Sequence, residues 1–279
     1  IVLNKLKMNK KINIGIVGLG RISHNHIDAI QKNNKFFNLV GLCDSNKNIL
    51  KKFKKFKLPL FVNLKELINI DDIDIVSLCT PSGIHSEQAV LALNNGINVI
   101  TEKPMATNLF DANKMLKAAK KNKKKLFVVK QNRFNPTLVY LKKLLEEKKL
   151  GKIYMFNSNV FWHRSQSYYN SAKWRGKKDL DGGALMNQAS HYIDMIDWFF
   201  GPIKKLSAYC LTLQRKIEME DSTVVNFISK NNIMGSISVT MLSYEKNFEG
   251  SLTIISEMGN IKIGGLALNE IQDINLKDK

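Results

Sequence analysis

Two glycines near the start of the chain have the spacing of a phosphate-binding turn. A short apolar run, Ile12–Val17, leads into Gly18-Leu19-Gly20-Arg21-Ile22-Ser23, which fits the pattern G-x-G-x-x-G/A with Ser23 in the last place. Gly18 permits a tight turn out of a strand, and Gly20 lets the backbone approach a pyrophosphate because it has no Cβ. The N–H groups and the positive dipole end of the next helix would attract the phosphates. The pattern predicts a strand, a phosphate-binding turn and a helix.

An acidic residue ends the second apolar run, Asn38–Asp44, and Asp44 follows Gly20 by 24 residues. An acid at this place in a dinucleotide-binding fold accepts hydrogen bonds from the adenosine ribose. A carboxylate there also repels a 2′-phosphate, which favours NAD over NADP. The alternative is that Asp44 only caps the following helix, with Ser45 and Asn46 beside it.

Lys103 is the first candidate for chemistry. It lies between Glu102 and Pro104, directly after a predicted strand. A lysine there could donate a hydrogen bond to a substrate hydroxyl, or act as a base if burial lowers its pKa. The alternative is that Lys103 is only a surface residue without a catalytic role, since the chain is rich in lysine.

His191 is the second candidate. The segment Asp181–Phe199 is interpreted as one long helix, with small and polar residues on the face that carries Asn187 and His191. Such a face suits the wall of a wet pocket. The ordinary histidine pKa of about 6.5 makes His191 a usable general base, although a lone histidine is more often structural.

The elements that must position these residues form two regions. Strands alternate with helices up to Val129, which predicts right-handed crossovers and a parallel sheet. Ligands of such sheets bind beyond the carboxyl ends of the strands. Four segments follow strands and should converge on one rim, namely Asp44, Thr80-Pro81, Glu102-Lys103-Pro104 and Gln131-Asn132-Arg133.

The pattern changes near Leu150-Gly151, and mainly strands follow from Ile203, several of which alternate apolar and polar residues. We therefore predict an α/β Rossmann domain at 1–133, followed at 134–279 by an α+β domain with an open, largely antiparallel sheet. An open sheet of this kind often buries one face against another subunit, so we expect a homo-oligomer, a dimer or a tetramer.

Composition narrows the function classes. The chain has 279 residues, is 44% hydrophobic and carries a net charge of +19. Its basic residues are almost all Lys, which indicates codon bias rather than a nucleic-acid patch. No apolar run reaches the roughly 18–20 residues of a membrane span. Cys43, Cys79 and Cys210 have no metal-ligand spacing and are interpreted as reduced core thiols of a cytoplasmic protein.

Together these motifs resemble the Gfo/Idh/MocA family of NAD(P)-dependent sugar oxidoreductases. The resemblance rests on the glycine turn, Asp44, Thr101–Pro104 and the segment from Gly182 to Asp194, and it covers nearly the whole chain. Finer features at 128–136, Trp174-Arg175-Gly176 and 182–194 are similar to UDP-N-acetyl-glucosaminuronate 3-dehydrogenases of the WlbA/WbpB type. Those enzymes serve the synthesis of diacetylated amino-uronic acids of bacterial surface polysaccharides.

The resemblance implies oxidation of a sugar C3′ hydroxyl, with hydride passing to NAD, and Lys103 and His191 as catalytic residues. The cofactor-binding residues that it implies are Gly18, Gly20, Arg21, Ile22, Asp44, Thr80, Pro81, His85, Glu102, Lys103, Gln131, Trp174 and Arg175. The substrate-binding residues that it implies are Lys103, Arg133, Asn135, Asn187, Gln188 and His191. In some members of the subgroup, 2-oxoglutarate is thought to reoxidise the NADH in place.

Several alternatives stay open at this stage. Either Lys103 or His191 could take the proton. The wider family usually has Asp where this chain has Asn187, and Asn cannot take a proton. Arg133 could instead form a structural salt bridge, and Trp174-Arg175 could be a buried pair at a domain seam.

Rival functions are a free-sugar or cyclitol dehydrogenase and a non-catalytic NAD-sensing regulator. A regulator would be expected to lose Lys103 or His191, and both are present. Family members usually extend past the point that corresponds to Lys279, so we expect the second domain to be incomplete at its C-terminus.

Overall fold

The structure is a computed structural model that describes residues 10–265 and 267–277. Its contacts divide the chain into two units, with the boundary between Val129 and Lys130. The boundary predicted at 133/134 stays a prediction.

The first unit is a six-stranded sheet whose paired strands are all parallel, in the order β3-β2-β1-β4-β5-β6. Its strands are β1 (Ile12–Val17), β2 (Phe37–Cys43), β3 (Leu60–Phe61), β4 (Ile75–Leu78), β5 (Asn98–Thr101) and β6 (Leu126–Val128). Its helices are α1 (Ser23–Lys32), α2 (Lys47–Phe53), α3 (Leu64–Leu67), α4 (His85–Asn94) and α5 (Leu109–Lys121). Buried apolar side chains such as Ile16, Val76 and Val99 fill the layers between this sheet and its helices.

The register of this sheet aligns the ends of its central strands. Val17 pairs with Cys43 on one side and with Leu78 on the other, and Leu78 pairs with Thr101. The residues that follow these four positions therefore leave the sheet at one edge. This confirms the predicted convergence for Asp44, Thr80-Pro81 and Glu102-Lys103-Pro104, and the glycine turn after β1 leaves the sheet at the same edge.

The second unit is a mixed seven-stranded sheet in the order β13-β12-β11-β7-β10-β9-β8, antiparallel except for the pair β7 and β10. Its strands are β7 (Ile153–Phe161), β8 (Ile203–Leu211), β9 (Ser222–Ser229), β10 (Met234–Thr240), β11 (Glu249–Ser256), β12 (Gly259–Gly264) and β13 (Glu270–Leu276). Its helices are α6 (Pro136–Glu146), α7 (Gln166–Asn170) and α8 (Ser190–Phe200). The predicted fold class is confirmed for both units.

One face of the second sheet packs on α8. Phe156 of β7 lies edge-on to Phe200 of α8, with ring centroids 5.2 Å apart, and both side chains are buried. On β9, buried Val225 and Phe227 alternate with exposed Val224 and Ile228. The other face of the sheet therefore carries exposed apolar side chains.

Two expectations are wrong in detail. The single helix predicted over Asp181–Phe199 is instead a π-helical turn at 184–188 followed by α8, because Gly182 and Gly183 have positive φ and the turn breaks at Ala189. Cys210 is exposed, since it lies on β8 at an edge of the sheet, whereas Cys43 and Cys79 are buried as expected. Among the described residues, no helix is both long and apolar enough to cross a membrane.

Candidate functional site

The glycine turn has the geometry that a phosphate needs. Gly18 has φ +87°, and a Cβ there would lie 2.8 Å from the carbonyl carbon of Cys79. Gly20 faces open space, with no described atom within 4 Å of an added Cβ. The backbone N–H groups of Gly20, Arg21 and Ile22 donate to no acceptor in the described chain, and Arg21 and Ile22 are exposed at the start of α1. These donors fit the phosphates of a dinucleotide.

Asp44 lies beside this turn, as predicted. One carboxylate oxygen accepts a hydrogen bond from the Leu19 N–H at 2.8 Å, and the other accepts one from the Asn46 N–H at 2.8 Å. Asn46, not Asp44, is the N-cap of α2, since its side chain accepts from Asn48 N–H. Asp44 is therefore not the N-cap of α2. Its contact with a ribose stays a prediction.

Thr80, Pro81 and His85 follow β4. His85 is fully buried, and its ring nitrogens lie 2.9 Å from the Thr80 carbonyl oxygen and 3.0 Å from that of Pro104. Burial lowers the pKa of His85, although both carbonyl contacts oppose that shift. His85 therefore joins the segments after β4 and β5, and its role toward a cofactor stays a prediction.

Glu102, next to Lys103, belongs to a buried polar chain. Its Oε1 lies 2.9 Å from Nε2 of His26 on α1, and Nδ1 of His26 lies 2.9 Å from the hydroxyl of Ser77 on β4. Its Oε2 accepts a hydrogen bond from the Lys103 N–H at 3.2 Å. Burial alone would raise the pKa of Glu102, but His26 and the Lys103 N–H outweigh it and lower the pKa. This series of hydrogen bonds connects the backbone at Lys103 with α1, the helix after the glycine turn.

His191 in the second unit is buried near the start of α8. The amide Nε2 of Gln131 lies 3.2 Å from Nε2 of His191, and because an amide nitrogen can only donate, this ring nitrogen accepts in the contact. The structure thus brings together a predicted cofactor residue and a predicted catalytic residue.

Asn187 precedes His191 by one turn and is also buried. Its amide donates to the carboxylate of Asp181, which also accepts a hydrogen bond from the Gly176 N–H. Glu220 accepts from the Leu185 N–H at 2.9 Å and occupies the space that a side chain at position 183 would need. These carboxylates hold the π-helical turn that presents Asn187.

Arg133 forms a bidentate pair with Asp194 of α8. Its Nε and Nη2 donate to the two carboxylate oxygens at 2.7 and 2.8 Å, and this hydrogen bonding raises the pKa of Arg133. Lys130 lies 3.7 Å from the same carboxylate. Arg133 therefore forms the salt bridge that was the structural alternative for it. Its contact with the substrate stays a prediction. Asn135 donates its amide to the Ala267 carbonyl.

Gln188 belongs to a second group of side chains. Its Oε1 accepts from Nε of Arg164 at 3.1 Å, and its amide donates to the hydroxyl of Tyr168 at 3.0 Å. Arg175 donates to the same hydroxyl and lies over the Tyr168 ring and over Trp174. The predicted residues Gln188, Trp174 and Arg175 are thus connected through Tyr168.

The sequence reasoning did not select His26, Asp181, Arg164 or Tyr168. His26 follows the glycine turn by one helical turn, and Arg164 is one of only five arginines in the chain, so both had a signal in the sequence. Tyr168 and Asp181 act through contacts that only the fold reveals.

The fold and the glycine turn define an oxidoreductase-type protein with an NAD-binding Rossmann domain. Residues 12–130 match the family described as "Oxidoreductase family, NAD-binding Rossmann fold", and residues 138–262 match the GFO/IDH/MocA C-terminal domain. The chain belongs to the Gfo/Idh/MocA oxidoreductase family, as the sequence predicted, and the NAD-binding character of the first unit is confirmed.

Solved structures of WlbA dehydrogenases are similar over nearly the whole chain. The enzyme from Bordetella pertussis, in complex with NADH and UDP-GlcNAcA, is 45% identical, with a TM-score of 0.94 over 97% of this chain and 83% of that one. The enzyme from Chromobacterium violaceum, with the same two ligands, is 46% identical, with a TM-score of 0.95 over 98% of this chain and 79% of that one.

Curated relatives are more distant. Oxidoreductase P35 from Formosa agariphila is 26% identical over 204 residues, which are 71% of this chain and 64% of that protein. The match to the putative oxidoreductase YteT from Bacillus subtilis covers 40% of its length. The chain thus spans less than two thirds of the length of these relatives.

Proposed function

We propose that this protein catalyses the NAD-dependent oxidation of the C3′ hydroxyl of UDP-N-acetylglucosaminuronate. The observation that carries the proposal is the 45% identity, over 97% of the chain, to a dehydrogenase whose structure contains NADH and UDP-GlcNAcA. The presence of both Lys103 and His191 supports catalysis rather than NAD sensing. The glycine turn and Asp44 would hold the dinucleotide.

When bound, NAD supplies the acceptor for the hydride that leaves the sugar carbon. The chain must then accept the hydroxyl proton and hold the sugar in place. The imidazole of His191, whose Nε2 would exchange its hydrogen bond with Gln131 for one with the sugar hydroxyl, and the amine of Lys103 are the two groups proposed for this step. A neutral base is favoured because the oxidised nicotinamide is positive.

The wider role is also proposed. By resemblance, the product would enter the synthesis of diacetylated amino-uronic sugars, and 2-oxoglutarate could reoxidise the NADH. The exposed apolar residues of the second sheet, among them Leu206 at 63% and Tyr209 at 76%, support a homo-oligomer. A cytoplasmic location stays a prediction.

The test is NADH absorbance after the protein and NAD are mixed with UDP-N-acetylglucosaminuronate, with and without 2-oxoglutarate, together with mass spectrometry of the sugar. We expect NADH, or a keto-sugar that forms only with 2-oxoglutarate. Lys103→Ala and His191→Asn should each lower turnover by about a hundredfold or more while NAD binding is kept. The exposed Lys117 of α5 provides the matched control, Lys117→Ala.

Three outcomes would contradict parts of this proposal. Turnover of free sugars or cyclitols without turnover of the UDP-sugar would assign the protein to the rival substrate class. No turnover of any sugar, with NAD bound, would favour a regulator. Near-normal turnover in Lys103→Ala, or only a modest loss in His191→Asn, would remove that residue from the proton step.

A further inference from the structure

Three of the five arginines of the chain lie in one cluster in the second unit. The chain has 43 basic residues and uses Lys for all but Arg21, Arg133, Arg164, Arg175 and Arg215. Nε of Arg215 donates to the backbone carbonyl of Arg164 at 2.7 Å, and both Arg164 and Arg175 lie over the ring of Tyr168. An Arg in so Lys-rich a chain indicates a need for the planar fork rather than for charge alone.

Tyr168 contacts both guanidinium groups. Their central carbons lie 5.4 Å and 4.2 Å from its ring centroid, for Arg164 and Arg175 respectively. Gln188 accepts from Arg164 and donates to the Tyr168 hydroxyl, and that hydroxyl also accepts from Arg175. The two forks are therefore fixed in place before any ligand binds, which lowers the entropic cost of binding.

Among the described residues, the two guanidinium groups of this arrangement have only neutral hydrogen-bond acceptors. Within the described residues neither Arg164 nor Arg175 forms a salt bridge, whereas Arg133 is paired with Asp194. Nη1 of Arg164 donates to the His163 carbonyl and to the Asn247 side chain, which are neutral acceptors. Two half-buried cations around one ring repel each other, and a bound anion would reduce that repulsion.

The neighbouring carboxylate Asp221 does not fill this role. It is fully buried and accepts the backbone N–H groups of Leu213, Gln214 and Arg215, at 2.9 to 3.0 Å. Meanwhile Nε of Arg175 is buried with no acceptor in the described part of the chain. The donors of Arg175 thus exceed the acceptors that the described residues supply.

We propose that Arg164 and Arg175, positioned by Tyr168 and Gln188, bind an anionic group of the substrate. The proposal rests on the proposed function, and it names the anionic part of a nucleotide-linked uronic acid as the group recognised. Both the diphosphate and the sugar carboxylate offer paired oxygens that match a guanidinium fork. Gln188 precedes His191 by three residues, so the subsite adjoins the helix start that carries the candidate base.

The test is calorimetric binding to the NADH-saturated protein. The ligands are UDP, UDP-N-acetylglucosamine and UDP-N-acetylglucosaminuronate, and the variants are Arg164→Gln, Arg175→Gln and Arg164→Lys. Lys173→Gln, an exposed residue beside Trp174, is the matched control. We expect each Gln variant to lower the affinity for UDP-N-acetylglucosaminuronate by about tenfold or more, and Arg164→Lys to lower it less. The control should leave this affinity unchanged.

The ligand series separates the two anionic sources. Loss of affinity for all three ligands identifies the diphosphate as the bound group. Loss confined to the uronate, so that it binds like UDP-N-acetylglucosamine, identifies the carboxylate. NADH affinity, followed by its fluorescence, should stay within about twofold of the unaltered protein in Arg164→Gln. Arg175→Gln is not held to this limit, because Arg175 is also a predicted cofactor-binding residue.

Other results overturn the proposal. If the unaltered protein oxidises UDP-N-acetylglucosaminuronate but both Gln variants bind all three ligands unchanged, only the subsite is wrong. A fall in NADH affinity alone, in both Arg164→Gln and Arg175→Gln, would assign the cluster to the cofactor instead. If the unaltered protein binds none of the ligands, the proposed function and the subsite fail together. Arg164→Lys keeps the charge but loses the planar fork. If it binds more weakly while its melting temperature equals that of the unaltered protein, the loss is one of recognition and not of folding.

Discussion

The two units build their candidate sites in different ways. In the first unit, a run of consecutive backbone groups, Gly18–Ser23, forms the phosphate turn. In the second, the contacts join side chains that are far apart in the sequence, by 24 residues for Arg164 and Gln188 and by 61 for Arg133 and Asp194. A site made of backbone is specified by local sequence, whereas a site made of side chains depends on the whole fold of its unit.

The largest effect is expected at the backbone site, for Gly18→Ala. A methyl group at φ +87°, 2.8 Å from both the Cys79 carbonyl carbon and Thr80 Cγ2, cannot be accommodated without moving β4. We expect the free energy of unfolding to fall by about 2 to 4 kcal/mol. Urea unfolding followed by circular dichroism measures the change.

Gly20→Ala is the matched control for this prediction. Its added methyl group meets no described atom, so stability should change by less than about 0.5 kcal/mol. NAD should nevertheless bind about tenfold more weakly or worse, because the methyl group would stand where the backbone approaches the phosphates. Equal stability of the two variants would show that the two glycines do not have separate roles.

This contrast explains how much could be predicted from the sequence. The order of strands and helices in the first unit, the glycine turn and the alignment of Asp44 and Lys103 at strand ends follow from local pattern and the geometry of parallel sheets. The partnership of His26 with Glu102 does not, because it joins residues 76 apart and depends on how α1 lies on the sheet.

In the second unit, the sequence pattern of 184–200 predicts a helix, but it does not predict the break at Ala189. The turn widens to a π-helix because Glu220, which precedes β9, accepts a hydrogen bond from the Leu185 N–H and fills the space above Gly183. Nothing near position 185 in the sequence encodes that contact. The short helix α7, which carries Tyr168, and the edge strand β13 were likewise not predicted, since neither has a strong apolar period.

An intermediate effect is expected for the pair of Arg133 and Asp194, which tests whether the second unit uses this cation for structure or for substrate. Arg133→Gln would leave a largely buried carboxylate with only Lys130 at 3.7 Å. If the pair is structural, the free energy of unfolding should fall by about 1 to 3 kcal/mol in Arg133→Gln and in Asp194→Asn. The double variant should lose less than the sum of the two.

Kinetics distinguish the other role of Arg133. A structural pair predicts that both single variants change KM for the UDP-sugar equally little. A rise in KM of about tenfold in Arg133→Gln, with Asp194→Asn unaffected and stability unchanged, would instead place Arg133 on the substrate. That result would make the second unit's site larger than the cluster around Tyr168.

The smallest effect is expected at Asp44, where the first unit does depend on a side chain. Asp44→Asn keeps the size of the side chain and an oxygen for the Leu19 N–H, but it removes the charge that would repel a 2′-phosphate. The unaltered protein should bind NAD more tightly than NADP, and Asp44→Asn should narrow that preference by about tenfold, as Asp44→Ala also should. Fluorescence titration with NADH and NADPH measures both affinities. Equal affinity for the two cofactors in the unaltered protein would contradict the argument from Asp44, and Asp44 would then serve only to close the turn through the Leu19 and Asn46 N–H groups.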